Sequence, residues 1–441
     1  MFDSMATAAE TKLAIMFAGI AVVLLTGVVF GRIARSLRQP IVIGEITAGI
    51  VLGPSLLGLF PGDLSQRLFP ADVRPLLSAV SQVGLILFMF MVGWEFEKRL
   101  IRPHVGLAAA VSLTSVALSF GLGALSAVVL YQNHDVVDGR HISFTAFATF
   151  MGAAMSVTAF PVLARILSDN KLTDTRVGTL ALASAAIDDV LAWCMLAYVS
   201  ALVTSGGDTG DLIVIMVRSV VYVALMFVVV RPLLAAVTWR FAGREHWRTL
   251  LLILSAGALL SAWATTWIGI HAIFGAFLFG FVTPREPSHL LVEHVRKPLE
   301  QISLVLLPVF FIVTGLGVDI GGLAGTQYLE LGLILLVACA GKLLGAVVPA
   351  RVSGMAWREA VTLGLLMNTR GLTELIILNA AVSLGVLDGQ IFTMMVIMAL
   401  FTTALAGPLL PRGQAVEALR PEPRPVASGS QTTRPADRTL G

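Results

Sequence analysis

The sequence has few charged residues, and this scarcity is its most informative property. Only 13% of the 441 residues are Asp, Glu, Lys or Arg, whereas 57% are hydrophobic. Soluble globular domains carry about 25% charged residues. The apolar residues form runs of roughly 18 or more, each long enough to cross a bilayer core of about 30 Å. The composition therefore excludes an ordinary soluble domain and predicts an all-α polytopic membrane protein that lies in the lipid bilayer.

Other absences exclude further classes of protein. The two cysteines, Cys194 and Cys339, are single and lie in apolar stretches, so neither a disulfide framework nor a cysteine metal site is expected. No P-loop, HExxH or nucleotide fingerprint occurs in a suitable context, which leaves ATP-driven transport unsupported. The net charge of +3 is not the footprint of a nucleic-acid-binding protein. We therefore expect a protein that is not an enzyme, uses no cofactor and does not bind nucleic acid.

The hydrophobic runs predict about thirteen transmembrane helices. The N-terminus lacks the basic region and cleavage site of a signal peptide, so the first run is expected to be a permanent span. A short external N-terminus is predicted over 1–12, a transmembrane unit over 13–411, and a disordered tail rich in Pro, Arg, Ser and Thr over 412–441. The predicted spans lie near 13–34, 41–59, 76–96, 104–131, 142–167, 176–204, 211–239, 248–266, 270–283, 299–318, 327–350, 357–384 and 389–411.

Basic residues in the loops predict the orientation of these spans. Cytoplasmic loops carry an excess of Lys and Arg. The loops after odd-numbered spans, together with the tail, hold 22 basic residues, and the opposite side holds four, namely Lys12, Arg67, Arg74 and Arg140. We therefore expect a multi-pass protein of the cell membrane with its N-terminus outside and its C-terminus in the cytoplasm.

Two pairs of segments indicate a faint internal repeat. Matching spans are seven apart, an odd number, so the second copy is expected to be inverted in the membrane, as in many secondary transporters. This predicts two inverted six-helix repeats, over 13–204 and 248–411, joined by a linking helix over 211–239. The matching segments are FMVGWE (90–95) with FIVTGLGVD (311–319), and MSVTAFP (155–161) with MNTRGLT (367–373).

Two adjacent acids, Asp188 and Asp189, lie in the sixth predicted span. One acid at the centre of a transmembrane helix costs about 2.5–3.5 kcal/mol on insertion scales. Neighbouring positions differ by about 100° around a helix, so both carboxylates can serve one cavity without duplicating each other. A buried ion-pair network is the alternative. We favour a site where the two acids bind a dehydrated cation such as sodium or potassium.

Lys342 is the only lysine in the interior of any predicted span. A buried lysine needs an acidic partner or loses its proton, and the two acids Asp188 and Asp189 are the candidate partners. The alternative is a lysine that extends to the membrane interface.

The fifth and twelfth predicted spans both contain helix-breaking residues. Pro161, close to Thr158, removes a backbone donor from the fifth span, and Asn368 to Gly371 interrupt the twelfth. Discontinuous helices expose carbonyls and dipole ends beside a transport site. Arg370 and Glu374 are four residues apart, so they can pair on one helical face. We expect them to stabilise the break, with direct ion contact as the alternative.

Several long motifs in this order resemble the monovalent cation:proton antiporter superfamily, in the branch of Kef-type and sodium/proton antiporters and plant cation/proton exchangers. The resemblance covers about 35–411. Its motifs are QPIVIGEITAGIVLGPS (39–55), SVTAFPVLAR (156–165), the acids at 188–189, HAIFGAFLFG (271–280), LPVFFIVTG (307–315) and MNTRGLTEL (367–375).

The resemblance implies a sodium/proton antiporter fold with crossed discontinuous helices, and a homodimer. It also implies that Asp189 binds the cation and proton alternately, that Asp188 pairs with Lys342, and that Thr158 lies at the helix crossing. We therefore expect electrogenic exchange of a monovalent cation for protons, with sodium as first choice and potassium as second. A gated cation channel, or a receptor with a degenerate site, is the alternative from a different class.

Overall fold

A computed structural model describes the chain over residues 2–37, 39–62, 64–95, 105–137, 139–170, 172, 175–205, 209–242, 246–285 and 288–410. Within these residues, eleven helices are long and apolar enough to cross a membrane. The fifth and ninth predicted spans are shorter apolar helices, 144–156 and 272–282. Together they account for the thirteen predicted spans. The tail predicted over 412–441 lies outside the described residues.

The described chain is helical apart from short connections and one hairpin. The helices are α1 (Phe2–Ser36), α2 (Ile41–Leu52), α3 (Leu64–Leu68), α4 (Arg74–Glu95), α5 (Val105–His134), α6 (Phe144–Ser156), α7 (Phe160–Asp169), α8 (Arg176–Thr204), α9 (Thr209–Leu225), α10 (Arg231–Ala242), α11 (Trp247–Ile268), α12 (Ala272–Val282), α13 (Ser288–Leu291), α14 (Lys297–Leu316), α15 (Gln327–Val352), α16 (Trp357–Met367), α17 (Leu372–Ser383) and α18 (Gly389–Leu409). Wider π-turns, Met226–Val230 and Val292–Arg296, join α9 to α10 and α13 to α14, and Leu57–Leu59 forms a 3-10 turn. The hairpin pairs strands β1 (Val136–Val137) and β2 (Arg140–His141).

Contacts between helices define two sets. In the first, called the core set, α5 packs against α15, α6 and α8, and α16 packs against α15 and α8. The core set comprises α5–α8 and α15–α18. In the second, called the flanking set, α4 packs against α12 and α14, and α2 packs against α1 and α14. The flanking set comprises α1, α2, α4, α11, α12 and α14, and α9–α10 connects the two sets.

A close approach between α5 and α15 positions the buried lysine. A Cβ atom added to Gly345 would lie 2.5 Å from the Cα of Ser115, and one added to Gly341 would lie 2.8 Å from the Oγ of Ser119. Only glycine permits this spacing at these two positions. Lys342 lies between them and therefore extends into the core set, where it is fully buried.

Candidate ion site at the helix crossing

Two interrupted helices cross in the middle of the core set. The chain is non-helical over 157–159, between α6 and α7, and over 368–371, between α16 and α17. The backbone N–H of Ala159 donates a hydrogen bond to the carbonyl of Thr369 at 3.2 Å. The crossing therefore brings together two C-terminal helix ends, which carry partial negative charge, and two N-terminal ends, which carry partial positive charge.

Local sequence explains both interruptions. Pro161 is the second residue of α7, a position where a missing N–H costs a helix nothing. At the other break, Thr403 of α18 bonds both backbone polar groups of Arg370. The Arg370 N–H donates to its hydroxyl oxygen at 2.9 Å, and the hydroxyl donates to the Arg370 carbonyl at 2.8 Å. This side chain replaces the helical hydrogen bonds that the break removes.

Asp188 is held by three donors, one each from α5, α15 and the break between α6 and α7. Its Oδ1 accepts from the hydroxyl of Ser112 at 2.5 Å, and its Oδ2 accepts from Thr158 at 2.7 Å and from the ammonium of Lys342 at 2.9 Å. Lys342 also donates to the Oγ1 of Thr158 at 2.8 Å. Both partners of the Asp188–Lys342 ion pair have completely buried side chains. The negative charge of Asp188 is therefore already balanced.

Asp189 lies on the next position of α8 and faces different neighbours. The Oγ1 of Thr373 in α17 donates to its Oδ1 over a long 3.3 Å. The backbone N–H of Phe160, the first residue of α7, is a second donor. Within the described part of the chain, no basic side chain forms an ion pair with it, and the residue is 4% exposed. Asp189 is therefore the carboxylate at the crossing whose charge is not balanced by an ion pair among the described residues.

Arg370 and Glu374 lie on the other side of the crossing and form an ion pair of 3.2 Å. The guanidinium of Arg370 also donates to the carbonyls of Ala154 (3.0 Å) and Met155 (2.8 Å), in the last turn of α6. A cation at this end offsets the partial negative charge of the helix. Nε of Arg370 and Oε2 of Glu374 are buried and have no hydrogen-bond partner among the described residues. Arg370, in the second break, is thus hydrogen-bonded to the end of the helix that precedes the first break.

Three contributors to the site were not predicted from the sequence. Ser112 lies in an apolar run of α5 without any motif, and only its contact with Asp188 reveals it. Thr373 belongs to one of the family motifs, yet nothing in the sequence predicts that it contacts Asp189, 184 residues earlier. The N–H of Phe160 is a backbone group, so no residue type marks it.

Two ionisable residues within the family motifs, Glu45 and His271, lie apart from the site. Glu45 is buried in α2 of the flanking set. His271 precedes α12, where its Nδ1 accepts the backbone N–H of Ile273 at 3.5 Å as a helix cap. The structure does not bring either residue to the crossing.

Comparisons with known proteins agree on one family. The sequence profile described as "Sodium/hydrogen exchanger, transmembrane" matches residues 20–412. The chain is 41% identical over 402 residues to the Na(+)/H(+) antiporter NhaS4 of Synechocystis, covering 90% of this chain and 97% of that protein. It is 39% identical to Cation/H(+) antiporter 20 of Arabidopsis thaliana and 32% identical to K(+)/H(+) antiporter 1 of Saccharomyces cerevisiae. These alignments cover 85% of this chain in both cases, but only 45% and 43% of the two longer relatives.

Among solved structures, the sodium proton antiporter MjNhaP1 of Methanocaldococcus jannaschii is similar, with a TM-score of 0.64. The match covers 92% of this chain and 99% of that one at 14% sequence identity. The two chains therefore share a fold.

Proposed function

Because this chain belongs to the sodium/hydrogen exchanger family, we propose that it exchanges a monovalent cation for protons across its membrane by alternating access. The observation that carries the proposal is that two neighbouring acids have different partners. Asp188 is neutralised by Lys342, whereas Asp189, one residue on, has two hydrogen-bond donors and no basic partner among the described residues.

The exchange follows from competition at Asp189. A dehydrated monovalent cation needs several oxygen ligands, and the carboxylates of Asp188 and Asp189 with the hydroxyl of Thr158 supply them at the crossing. A proton on Asp189 removes the negative charge that attracts the cation. Cation and proton therefore occupy the site in turn, and each crosses the membrane in exchange for the other.

Lys342 makes this exchange electrogenic. When Asp188 turns to the cation, the Lys342 ammonium loses its acidic partner in a buried environment and releases a proton. A second proton leaves Asp189. Two protons then exchange for one cation, and one net charge moves per cycle, which couples transport to about 2.3 kcal/mol per 100 mV.

Sodium is our first choice of cation, because a relative that this chain covers almost completely carries the name Na(+)/H(+) antiporter. Potassium is the second, since a relative at 32% identity is named a K(+)/H(+) antiporter. Selectivity depends on the size of the cavity and the geometry of its ligands.

Movement of the core set against the flanking set would supply alternating access. A narrow crevice with room for about one water (≈ 10 Å³) separates α2 from the crossing, and its walls include Ile43 and Ile46 on one side and Val162 and Gly371 on the other. The excess of basic residues supports placement in the cell membrane with the N-terminus outside. A homodimer remains part of this proposal because the family resemblance implies it.

The test is exchange by purified protein in proteoliposomes, measured as cation-driven proton movement for sodium, potassium, lithium and rubidium. Asp189→Asn removes the titrating carboxylate and is expected to abolish exchange. Asp211→Asn, which changes an exposed acid at the start of α9, is the matched control and should retain it. Undiminished exchange in Asp189→Asn would contradict the site. Fast cation flux without proton countermovement would instead indicate a channel.

A further inference from the structure

A second group of titratable residues lies away from the crossing, at the predicted external end of the core set. His134 is the last residue of α5, Glu330 lies in the first turn of α15, and Asp388 caps the N-terminus of α18. The imidazole Nε2 of His134 is 3.0 Å from Oε2 of Glu330, and its Nδ1 is 2.5 Å from Oδ2 of Asp388. Glu330 precedes Lys342 by twelve residues, or roughly 18 Å of helix.

The geometry requires an extra proton. A neutral imidazole has one donor and one acceptor, and ionised carboxylates only accept. Both contacts of His134 can be hydrogen bonds only if the imidazole is protonated or if one of the carboxyl groups carries the proton. His134 is 1% exposed, so water cannot replace either contact. The group therefore holds one proton more than its separate members would hold at neutral pH.

From this we infer that His134, Glu330 and Asp388 form a second proton-binding site. Its protonation follows the pH at the external end of the core set, and it is separate from the transport site. A proton is the appropriate ligand, because each carboxylate lies at hydrogen-bond distance from a ring nitrogen of His134. Asp388, whose side chain is 22% exposed, provides the path for the proton.

The surrounding groups do not supply a substitute cation. Asn133 donates its amide to Oε1 of Glu330 at 2.6 Å. Asp135, next to the hairpin, has its Oδ2 3.0 Å from Nδ1 of the exposed His141. Among the described residues, Glu330 and Asp388 form no ion pair with Lys or Arg. The connections that adjoin these helices in sequence also carry Arg140, in the hairpin after α5, and Asp319, before α15. The proton therefore supplies the positive charge that offsets one of the two carboxylates.

Loss of this proton would loosen the external ends of three core helices. The lone pair of a neutral imidazole would face a carboxylate, and two negative charges would share one buried region. Since α5 carries Ser112 and α15 carries Lys342, the same helices that meet at this external proton site also hold Asp188. Alkaline external pH should thus weaken the packing of the core set.

Hydrogen–deuterium exchange of the purified full chain tests this without measuring transport. After correction for intrinsic exchange, amides near 130–134, 327–331 and 388–392 should exchange about tenfold faster at pH 9 than at pH 6, the effect expected when one charge-assisted hydrogen bond is lost. His134→Gln should remove this dependence, and His141→Gln, the neighbouring exposed histidine, should keep it. Asp388→Asn preserves the cap but removes one charge, so it should shift the transition to lower pH by roughly one unit.

The same measurement in the Asp189→Asn variant separates this site from the transport site, because the transition should persist there even if exchange is abolished. Protection that does not change with pH between about 5 and 9, or a transition that survives in His134→Gln, would overturn the inference. If His134→Gln fails to fold, an unshifted transition in Asp388→Asn would overturn it equally.

Discussion

The two predicted copies share a backbone plan but contribute different charges to the crossing. In the first copy, the charges are the acids Asp188 and Asp189 on α8, and the break over 157–159 carries none. In the second copy, the charges are Lys342 on α15, Arg370 in the break and Glu374 on α17, while α18, the counterpart of α8, has no charged residue. The second copy thus supplies the base that pairs with Asp188, and its other base, Arg370, pairs with Glu374 of the same copy.

This difference explains why the two copies have little sequence in common although their interrupted helices occupy matching positions. The inverted fold requires only that both copies have an interrupted helix flanked by two long ones. The chemistry requires that a buried acid meet a buried base, because either one alone in the membrane is costly. Ion pairing between copies, such as Asp188 with Lys342, satisfies both requirements and ties the copies together at the site.

The largest effect is expected at Arg370 of the second copy, which donates hydrogen bonds to the end of α6 in the first copy. Arg370→Gln removes the charge that caps the end of α6 and leaves Glu374 buried without its partner. Breaking a buried pair in this way costs about 3–5 kcal/mol. Thermal unfolding in detergent should therefore begin at a clearly lower temperature.

Arg358→Gln, at the exposed start of α16, is the matched control and should leave the transition within about 0.5 kcal/mol. Restoring stability by adding Glu374→Gln to Arg370→Gln would show that the unpaired acid causes the loss. An unchanged transition in Arg370→Gln itself would show that the second copy does not brace the first.

An intermediate effect is expected at the ion pair between the copies. Lys342→Ala leaves Asp188 with only the hydroxyls of Ser112 and Thr158 as donors, and it removes one proton carrier from the cycle. Exchange should become insensitive to an imposed voltage, a loss of about 2.3 kcal/mol of driving force per 100 mV. The measurement is sodium-driven proton flux with and without a clamped potential.

Lys12→Ala, which removes an exposed lysine paired with Asp72, should keep the voltage dependence. If exchange by Lys342→Ala stayed voltage-dependent with the wild-type stoichiometry, Lys342 would not be one of the groups that carry the exchanged protons.

The smallest effect is expected within the first copy, at Ser112. Ser112→Ala removes one charge-assisted hydrogen bond to Asp188, which is worth about 1.5–3 kcal/mol, without changing any charge. Unfolding should shift by that amount, and exchange should be slower but remain electrogenic. Ser115→Ala, one turn further along α5, is a close control because the Ser115 hydroxyl has no hydrogen-bond partner. Equal effects of the two variants would rule out a specific role for Ser112.

The sequence predicted the spans well, because an apolar run of about twenty residues is a strong local signal. It also directed attention to Asp188, Asp189, Lys342 and Arg370, since ionisable residues are rare in apolar runs. The limits are visible at Ser112, which no motif distinguishes from the other serines of α5.

The sequence by itself determined that the chain crosses the membrane many times and that two adjacent acids lie within it. Hydropathy and the cost of buried charge act locally, so both can be assessed residue by residue. Only the tertiary structure decided that Asp188 is ion-paired with Lys342 and that Asp189 has no such pair among the described residues. That distinction depends on which side of α8 meets the lysine of α15, and two glycines on α15 set that distance by allowing its backbone to lie against α5.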